Sequence, residues 1–237
     1  MIHVQVNRAT SICAIGLFLA CAPGGGAKQG AESTAVTRAD TASAVTAPPA
    51  TDSIITRADL SRIQGNPSAP VWVIEVSDFQ CPYCKQWHDQ TYYPFVEQYV
   101  KTGKVRLAYV NFPLGSHVHA WPAAEAAMCA GAQGKFWPMH DALFTMQPRW
   151  ESLPSPAALF DSLAQSKGIE MSKWRECVSS GKMKPLIQAD RDRAARAGAG
   201  ATPSFIIGDQ LLAGAQPLPE LGRAVESALA KSKSATP

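Results

Sequence analysis

Apolar positions are spread unevenly along the chain, and each change of pattern predicts a change of element. SICAIGLFLACA, Ser11 to Ala22, is an apolar run of about twelve residues with Arg8 just ahead of it. That falls short of the ~20 residues a membrane-spanning helix needs and suits the core of a signal peptide. From Ala22 to about Asp52 the chain is Ala, Thr, Ser, Gly and Pro with almost no large apolar side chains. Such a segment cannot bury enough surface to offset its ordering entropy, and it reads as a flexible tether. APVWVIEVSDF follows, a near-continuous Val- and Ile-rich run with the pattern of a central strand covered on both faces. In PYCKQWHDQTYYPFVEQYV the residues Trp87, Phe95 and Tyr99 recur at roughly helical spacing; Pro82 stands at the first helical position, and Pro94 predicts a kink. After RLAYVNFPL come roughly ninety residues of short amphipathic pieces separated by Gly, Pro and Ser, and then the strand SFIIG. Strands alternating with helices predict an α/β fold.

The chain's 237 residues, 46% hydrophobic and 17% charged, allow a substantial buried core. A net charge of +3 with no block of five or six like charges excludes a nucleic-acid-binding arm. RDRAARAG, Arg191 to Gly198, is the densest basic stretch and, with Asp190 and Asp192, reads as a solvated helix face.

Six cysteines sharpen the picture. Cys13 falls in the signal-peptide core. LFLAC ends on Cys21 and resembles the lipobox of bacterial lipoproteins, in which the cysteine is acylated and becomes the mature N-terminus. Phe18 departs from the usual leucine, and simple cleavage is the alternative; either outcome places the bulk of the chain outside the cytoplasm. Cys81, Cys84, Cys129 and Cys177 remain, an even number that suits disulfides in an oxidising compartment. A zinc site would want a second close pair of ligands, and Cys129 and Cys177 are far apart in sequence. Cys81 lies where the strand gives way to the helix, so unpaired N–H groups and the helix dipole should stabilise its thiolate. It is the expected exposed nucleophile, with Cys84 as the resolving thiol one turn further in. Two inert structural cysteines are the plain alternative. His117 and His119 form an HxH without a third ligand nearby in sequence, so no metal site is expected there. His88, one turn beyond Cys84, is expected on the helix surface, and Trp121, Trp137, Trp150 and Trp174 in helix packing.

Strand, CPYC and helix together resemble the thioredoxin superfamily, and HVHAWPAAEAAMCA followed by QGKFWPMHDALF resembles the insert of its DsbA-like branch. The resemblance covers about Ile54 to Lys231. It implies a thioredoxin fold with a central mixed sheet over 54–237 and an inserted helical subdomain at about 115–200, preceded by a lipoprotein-type signal peptide at 1–21 and a tether at 22–53. Glu75 matches the buried acid that assists proton transfer to the resolving thiol, although an ordinary strand carboxylate is the plain alternative. Thr202 and Pro203 match the cis-proline loop that pairs with substrate backbone. In some members a second cysteine pair staples the insert, a description that Cys129 and Cys177 fit; a second redox pair is the other reading. Pro82 and Tyr83 lack the histidine of the most oxidising sites, which implies a less extreme potential.

The expected function is therefore thiol–disulfide exchange on unfolded or reduced exported proteins, most simply as a DsbA-like oxidase. An envelope reductase or isomerase is the alternative, with a non-catalytic peptide-binding or chaperone module behind it. The low-complexity tether stands where dimeric isomerases carry a folded domain, so a monomer is expected. No cofactor is implied. The expected partner is a quinone-linked membrane reoxidase, the expected location the bacterial periplasm or an equivalent extracytoplasmic space, and the expected membrane attachment the lipid alone.

Overall fold

The computed structural model describes residues 53–234. The expected signal peptide, the lipidation site at Cys21 and nearly all of the tether lie outside the described residues. Helix α1 (Ser53–Ser61) and the two-residue strand β1 (Ile63–Gln64) lead into β2 (Val71–Ser77), the core of the Val/Ile-rich run. Helix α2 (Pro82–Trp87) opens the next element, which continues through a π stretch (His88–Tyr92), the short α3 (Tyr93–Phe95) and a second π stretch (Val96–Val100). Pro94 has no N–H to return to the preceding turn, and the widened backbone on both sides of it is how the helix absorbs that loss. Strand β3 (Val105–Asn111) runs parallel to β2, with Glu75 opposite Tyr109. The insert supplies α4 (Ala120–Gly131), α5 (Phe136–Thr145), α6 (Gln147–Trp150), α7 (Ala157–Ser166), α8 (Met171–Ser180) and α9 (Lys184–Arg196). β4 (Ser204–Ile207), β5 (Gln210–Ala213) and α10 (Leu218–Ser234) complete a mixed five-stranded sheet of order β1-β3-β2-β4-β5. Among the described residues no helix is long and apolar enough to cross a membrane.

Alternation along β2 divides its side chains between two faces. Val71 and Val73 pack with Trp87, Phe95, Leu107, Phe205 and Leu221, a core shared by the sheet, the CPYC helix and α10. On the opposite face Val76 packs with Phe112 and Ala194, but the expected double cover is incomplete. Trp72 is 41% exposed and lies beneath the Arg106 guanidinium at 4.4 Å from its ring centre. The cationic stack shields one side of the half-exposed indole.

Asp190 departs from the solvated face expected of its segment. It is fully buried, paired with Arg62 and accepting from the Asn111 amide at 2.9 Å, because a guanidinium that also donates to the Tyr109 carbonyl at 3.1 Å needs a counter-charge inside the protein. The same aspartate holds the exposed Arg193, so the basic stretch itself faces solvent while its acid anchors α9 to the sheet. Within the insert, Trp150 and Trp174 are buried and donate to the carbonyls of Leu143 and Ala126.

Cys129 on α4 and Cys177 on α8 form a disulfide across 48 positions, with their Cα atoms 5.7 Å apart. Closing a loop of this length is worth about 4 kcal/mol in the chain-entropy model. The double substitution Cys129→Ala/Cys177→Ala is thus expected to lower unfolding stability by about that amount. Unchanged urea midpoints would show that the bond carries no structural load.

Candidate active site

The turn between β2 and α2 is held from three directions. Asp78 is nearly fully buried; its Oδ1 accepts from Gln80 N at 2.8 Å, and its Oδ2 accepts from Leu114 N at 2.9 Å and lies 2.7 Å from His117 Nδ1. From the insert, Gln147 donates its amide to the carbonyls of Phe79, at 2.6 Å, and Cys81, at 3.1 Å. Gln80 accepts from His119 N at 2.7 Å and donates to the Glu151 carbonyl at 3.2 Å. Loop 78–81 is therefore clamped by the insert, and the HxH histidines serve that clamp: His119 Nε2 lies 2.7 Å from the Leu153 carbonyl. Sequence reasoning missed Asp78, Gln80 and Gln147. A second carboxylate directly behind an apolar strand was a readable signal for Asp78, whereas nothing local marks Gln147.

Cys81 caps α2 in an extended conformation, with Pro82 behind it at the first helical position. The expected exposed nucleophile is in fact covered, at 3% accessibility, because its Sγ sits 3.4 Å from the Thr202 carbonyl of the opposing loop. Tyr83, at 62%, is the exposed member of the motif. The Thr202–Pro203 peptide bond is cis. Cys84 is fully buried, with Asp78 N donating toward its Sγ at 3.5 Å.

Two chemically identical thiols thus occupy different environments. The Cys84 thiol, donating to the Cys81 sulfur together with the Thr202 side chain and the N–H groups of Cys84 and Tyr83, holds Cys81 down to about 6, against the opposing effect of burial. Burial, reinforced by the neighbouring Cys81 charge, pushes Cys84 well above its ordinary range. One sulfur is kept as a thiolate at neutral pH while its partner keeps its proton.

Glu75 lies on the sheet face that receives the CPYC helix: its register partner Phe205 packs against Trp87 at 4.9 Å between ring centres. It is fully buried, neither carboxylate oxygen has a hydrogen-bond partner, and burial pushes its pKa up to about 8. A carboxyl that titrates near neutrality can both give and take a proton at ordinary pH.

His88 is not the surface residue expected from its position. It is 2% exposed, stacked on Tyr92 and Phe144, because the widened turn at His88–Tyr92 rotates it toward α5. There it meets His140 and Asp141.

A thioredoxin fold whose helix mouth carries an asymmetric dithiol facing a cis-proline loop defines a class, the thiol–disulfide oxidoreductases. Comparison with known proteins gives the family: the thioredoxin family model matches residues 58–227, and the chain belongs to that family, on its DsbA-like branch. A probable disulfide bond formation protein D of Bacillus anthracis is 30% identical over 151 residues, covering 62% of this chain and 69% of that protein. The Na(+)/H(+) antiporter NhaA 3 of Salinispora tropica is 33% identical over 177 residues, 74% of this chain. The chain spans only 26% of that antiporter's length. Oxidised BdbD from Bacillus subtilis shares the fold, with a TM-score of 0.65 at 24% identity over 71% of this chain and 92% of that one.

Proposed function

We propose that this protein is an extracytoplasmic disulfide donor. A reduced thiolate of an exported protein attacks Sγ of Cys81 in the oxidised Cys81–Cys84 pair, and the Cys84 sulfur leaves and takes up a proton. A second substrate thiolate then attacks the substrate sulfur of the mixed disulfide, releasing oxidised substrate and the Cys81 thiolate. Two electrons move from substrate to enzyme; one proton stays on Cys84 and the other passes to solvent, because Cys81 is left as the thiolate, and a quinone-linked membrane partner restores the disulfide. Glu75 is the proton donor and acceptor for Cys84, Thr202 and Pro203 hold the substrate backbone beside Cys81, and Cys129–Cys177 is structural.

The thiol asymmetry supports this direction. Cys81 at about 6 gains thiolate population but loses intrinsic nucleophilicity, so its depressed pKa makes little difference when it attacks. As a leaving group it has a clear advantage, and it leaves in the step that completes substrate oxidation. The amino-terminal run of 21 residues is read as a lipoprotein signal with Cys21 acylated, and the segment up to residue 53 as the tether to the membrane. The folded part works as a monomer.

Equilibration of the Cys81/Cys84 pair in glutathione buffers tests the direction. A potential closer to about −120 mV than to about −270 mV, though short of that oxidising extreme, is expected; a value near about −270 mV would make the protein a reductase.

A further inference from the structure

Two buried histidines, His88 and His140, and the partly exposed Asp141 form a cluster that the thiol-exchange steps do not use. Each residue offers one ligand atom, and the three atoms lie within 4.8 Å of one another. His88 Nε2 is 3.4 Å from Asp141 Oδ1, and His140 Nδ1 is 2.9 Å from the same oxygen. We propose that this cluster is a binding site for a borderline divalent cation of the Zn2+ type, held by two imidazoles and one carboxylate.

Donor counting is the first argument. His88 presents both ring nitrogens to carboxylates, Nδ1 to Asp89 Oδ1 at 3.0 Å and Nε2 to Asp141 Oδ1 at 3.4 Å. A neutral imidazole carries one N–H, so satisfying both contacts takes a second positive charge at the ring, a proton or a bound cation. Distance is the second. A hydrogen bond between an imidazolium and a carboxylate runs at about 2.7–2.9 Å. Two ligand atoms sharing a tetrahedral Zn2+ at about 2.1 Å each sit roughly 3.4 Å apart. The His88–Asp141 separation fits the second geometry; His140 Nδ1, at 2.9 Å from the same oxygen, would have to draw back by about half an ångström to share the cation. Support from the outer shell is the third: Asp89 orients His88 through Nδ1 and is itself held by Lys85 at 2.7 Å, the carboxylate–histidine arrangement that fixes a ligand tautomer.

His140 adds an independent observation. It is fully buried among Phe79, Tyr92, Tyr109, Phe136, Trp137 and Phe144, its Nε2 has no partner, and its polar contact is Nδ1 toward Asp141. A histidine embedded in an aromatic cage with one nitrogen aimed at a carboxylate is organised for a single polar partner. Access exists as well. Asp141 is partly exposed and lines a cleft of about 440 Å3 with Tyr93, Thr145 and Lys167, open to solvent and able to supply a water as fourth ligand. A bound cation would join the helix that begins with the redox motif to α5 of the insert.

Titration of the full chain with Zn2+ by calorimetry, and with Co2+ by visible absorption, tests the site. The Cys81–Cys84 pair is first oxidised and remaining thiols are alkylated, so that no cysteine can bind the metal. One equivalent should bind with micromolar or tighter affinity, and Co2+ should give the intense absorption of a tetrahedral centre. Asp141→Asn should weaken binding at least 100-fold, and the outer-shell change Asp89→Asn about 10-fold. Asp89 is largely exposed, so its variant keeps the test open should Asp141→Asn misfold. His119→Gln should leave binding unchanged. Lack of saturable binding at 100 μM metal would overturn the proposal and leave His88 an imidazolium between two carboxylates. Binding lost in His119→Gln but retained in Asp141→Asn would overturn it too, moving the metal to the HxH pair.

Discussion

Replacing Glu75 with glutamine is expected to leave stability nearly unchanged at pH 4 and to raise it by on the order of 5 kcal/mol at pH 9. Glutamine has the shape and hydrogen-bonding character of the protonated acid, so at low pH the two proteins are close equivalents. Burial raises the folded-state pKa of Glu75 from 4.5 to about 8, whereas the unfolded chain keeps the ordinary value. Below about pH 4.5 both states bind the proton and the group exerts no pH-dependent effect. As pH rises, the unfolded state releases its proton first, and the parent protein loses stability continuously until the folded carboxyl also ionises near pH 8. Each pKa unit corresponds to about 1.4 kcal/mol, and the interval is roughly 3.5 units. Urea unfolding of both proteins at pH 4, 6 and 9, with the Cys81–Cys84 pair oxidised so that neither thiol titrates, isolates this one group. Parallel stability profiles would show that Glu75 ionises freely and would remove it from the proton-transfer role. In activity assays the same variant should slow exchange, separating a carboxyl kept for chemistry from one kept for structure.

Much of this architecture is legible in local sequence. The Val/Ile-rich run placed β2, the proline behind Cys81 placed the helix mouth, and Gly, Pro and Ser punctuation divided the insert into its helices. What sequence concealed depended on side chains meeting across long separations. Asp190 sits in a polar, arginine-rich stretch, and its burial is explained by Arg62, 128 positions earlier, and Asn111, 79 positions earlier. His88 followed the surface register of a regular helix until the π turn rotated it inward, a change of period that no composition announces. Gln147 is an ordinary polar residue whose significance lies in two carbonyls more than sixty positions away. Cys81 was expected as the low-pKa thiol on the strength of the helix start, whereas the largest influence lowering it is the Cys84 thiol; its covering by Thr202 was hidden in a loop 121 positions downstream.

Substitution of the two active-site cysteines should have opposite covalent consequences despite equal loss of turnover. Cys81→Ser is expected to reduce disulfide transfer to the uncatalysed rate and to form no adduct with substrate. Its remaining thiol at Cys84 is fully buried and holds its proton far above neutral pH, so it neither meets nor attacks a substrate disulfide. Cys84→Ser should also fail to turn over, yet it should accumulate mixed disulfides through Cys81 that survive non-reducing electrophoresis, since the enzyme's own resolving sulfur is gone. Loss of the Cys84 hydrogen-bond donor should leave Cys81 less acidic than in the parent, because that contact is the largest influence lowering its pKa. Serine can still donate a hydrogen bond from nearly the same place, whereas alanine cannot, so iodoacetamide alkylation of Cys81 should move from a midpoint near pH 6 in the parent to higher pH in Cys84→Ala, with Cys84→Ser between them. Mixed disulfides formed through Cys84 in the Cys81→Ser protein would reverse the assignment of nucleophile and resolving thiol. An alkylation midpoint that stays put in Cys84→Ala would instead locate the acidity of Cys81 in the Thr202 side chain and the backbone N–H groups of the first turn, so that the resolving thiol would contribute nothing to the asymmetry on which the oxidase chemistry rests.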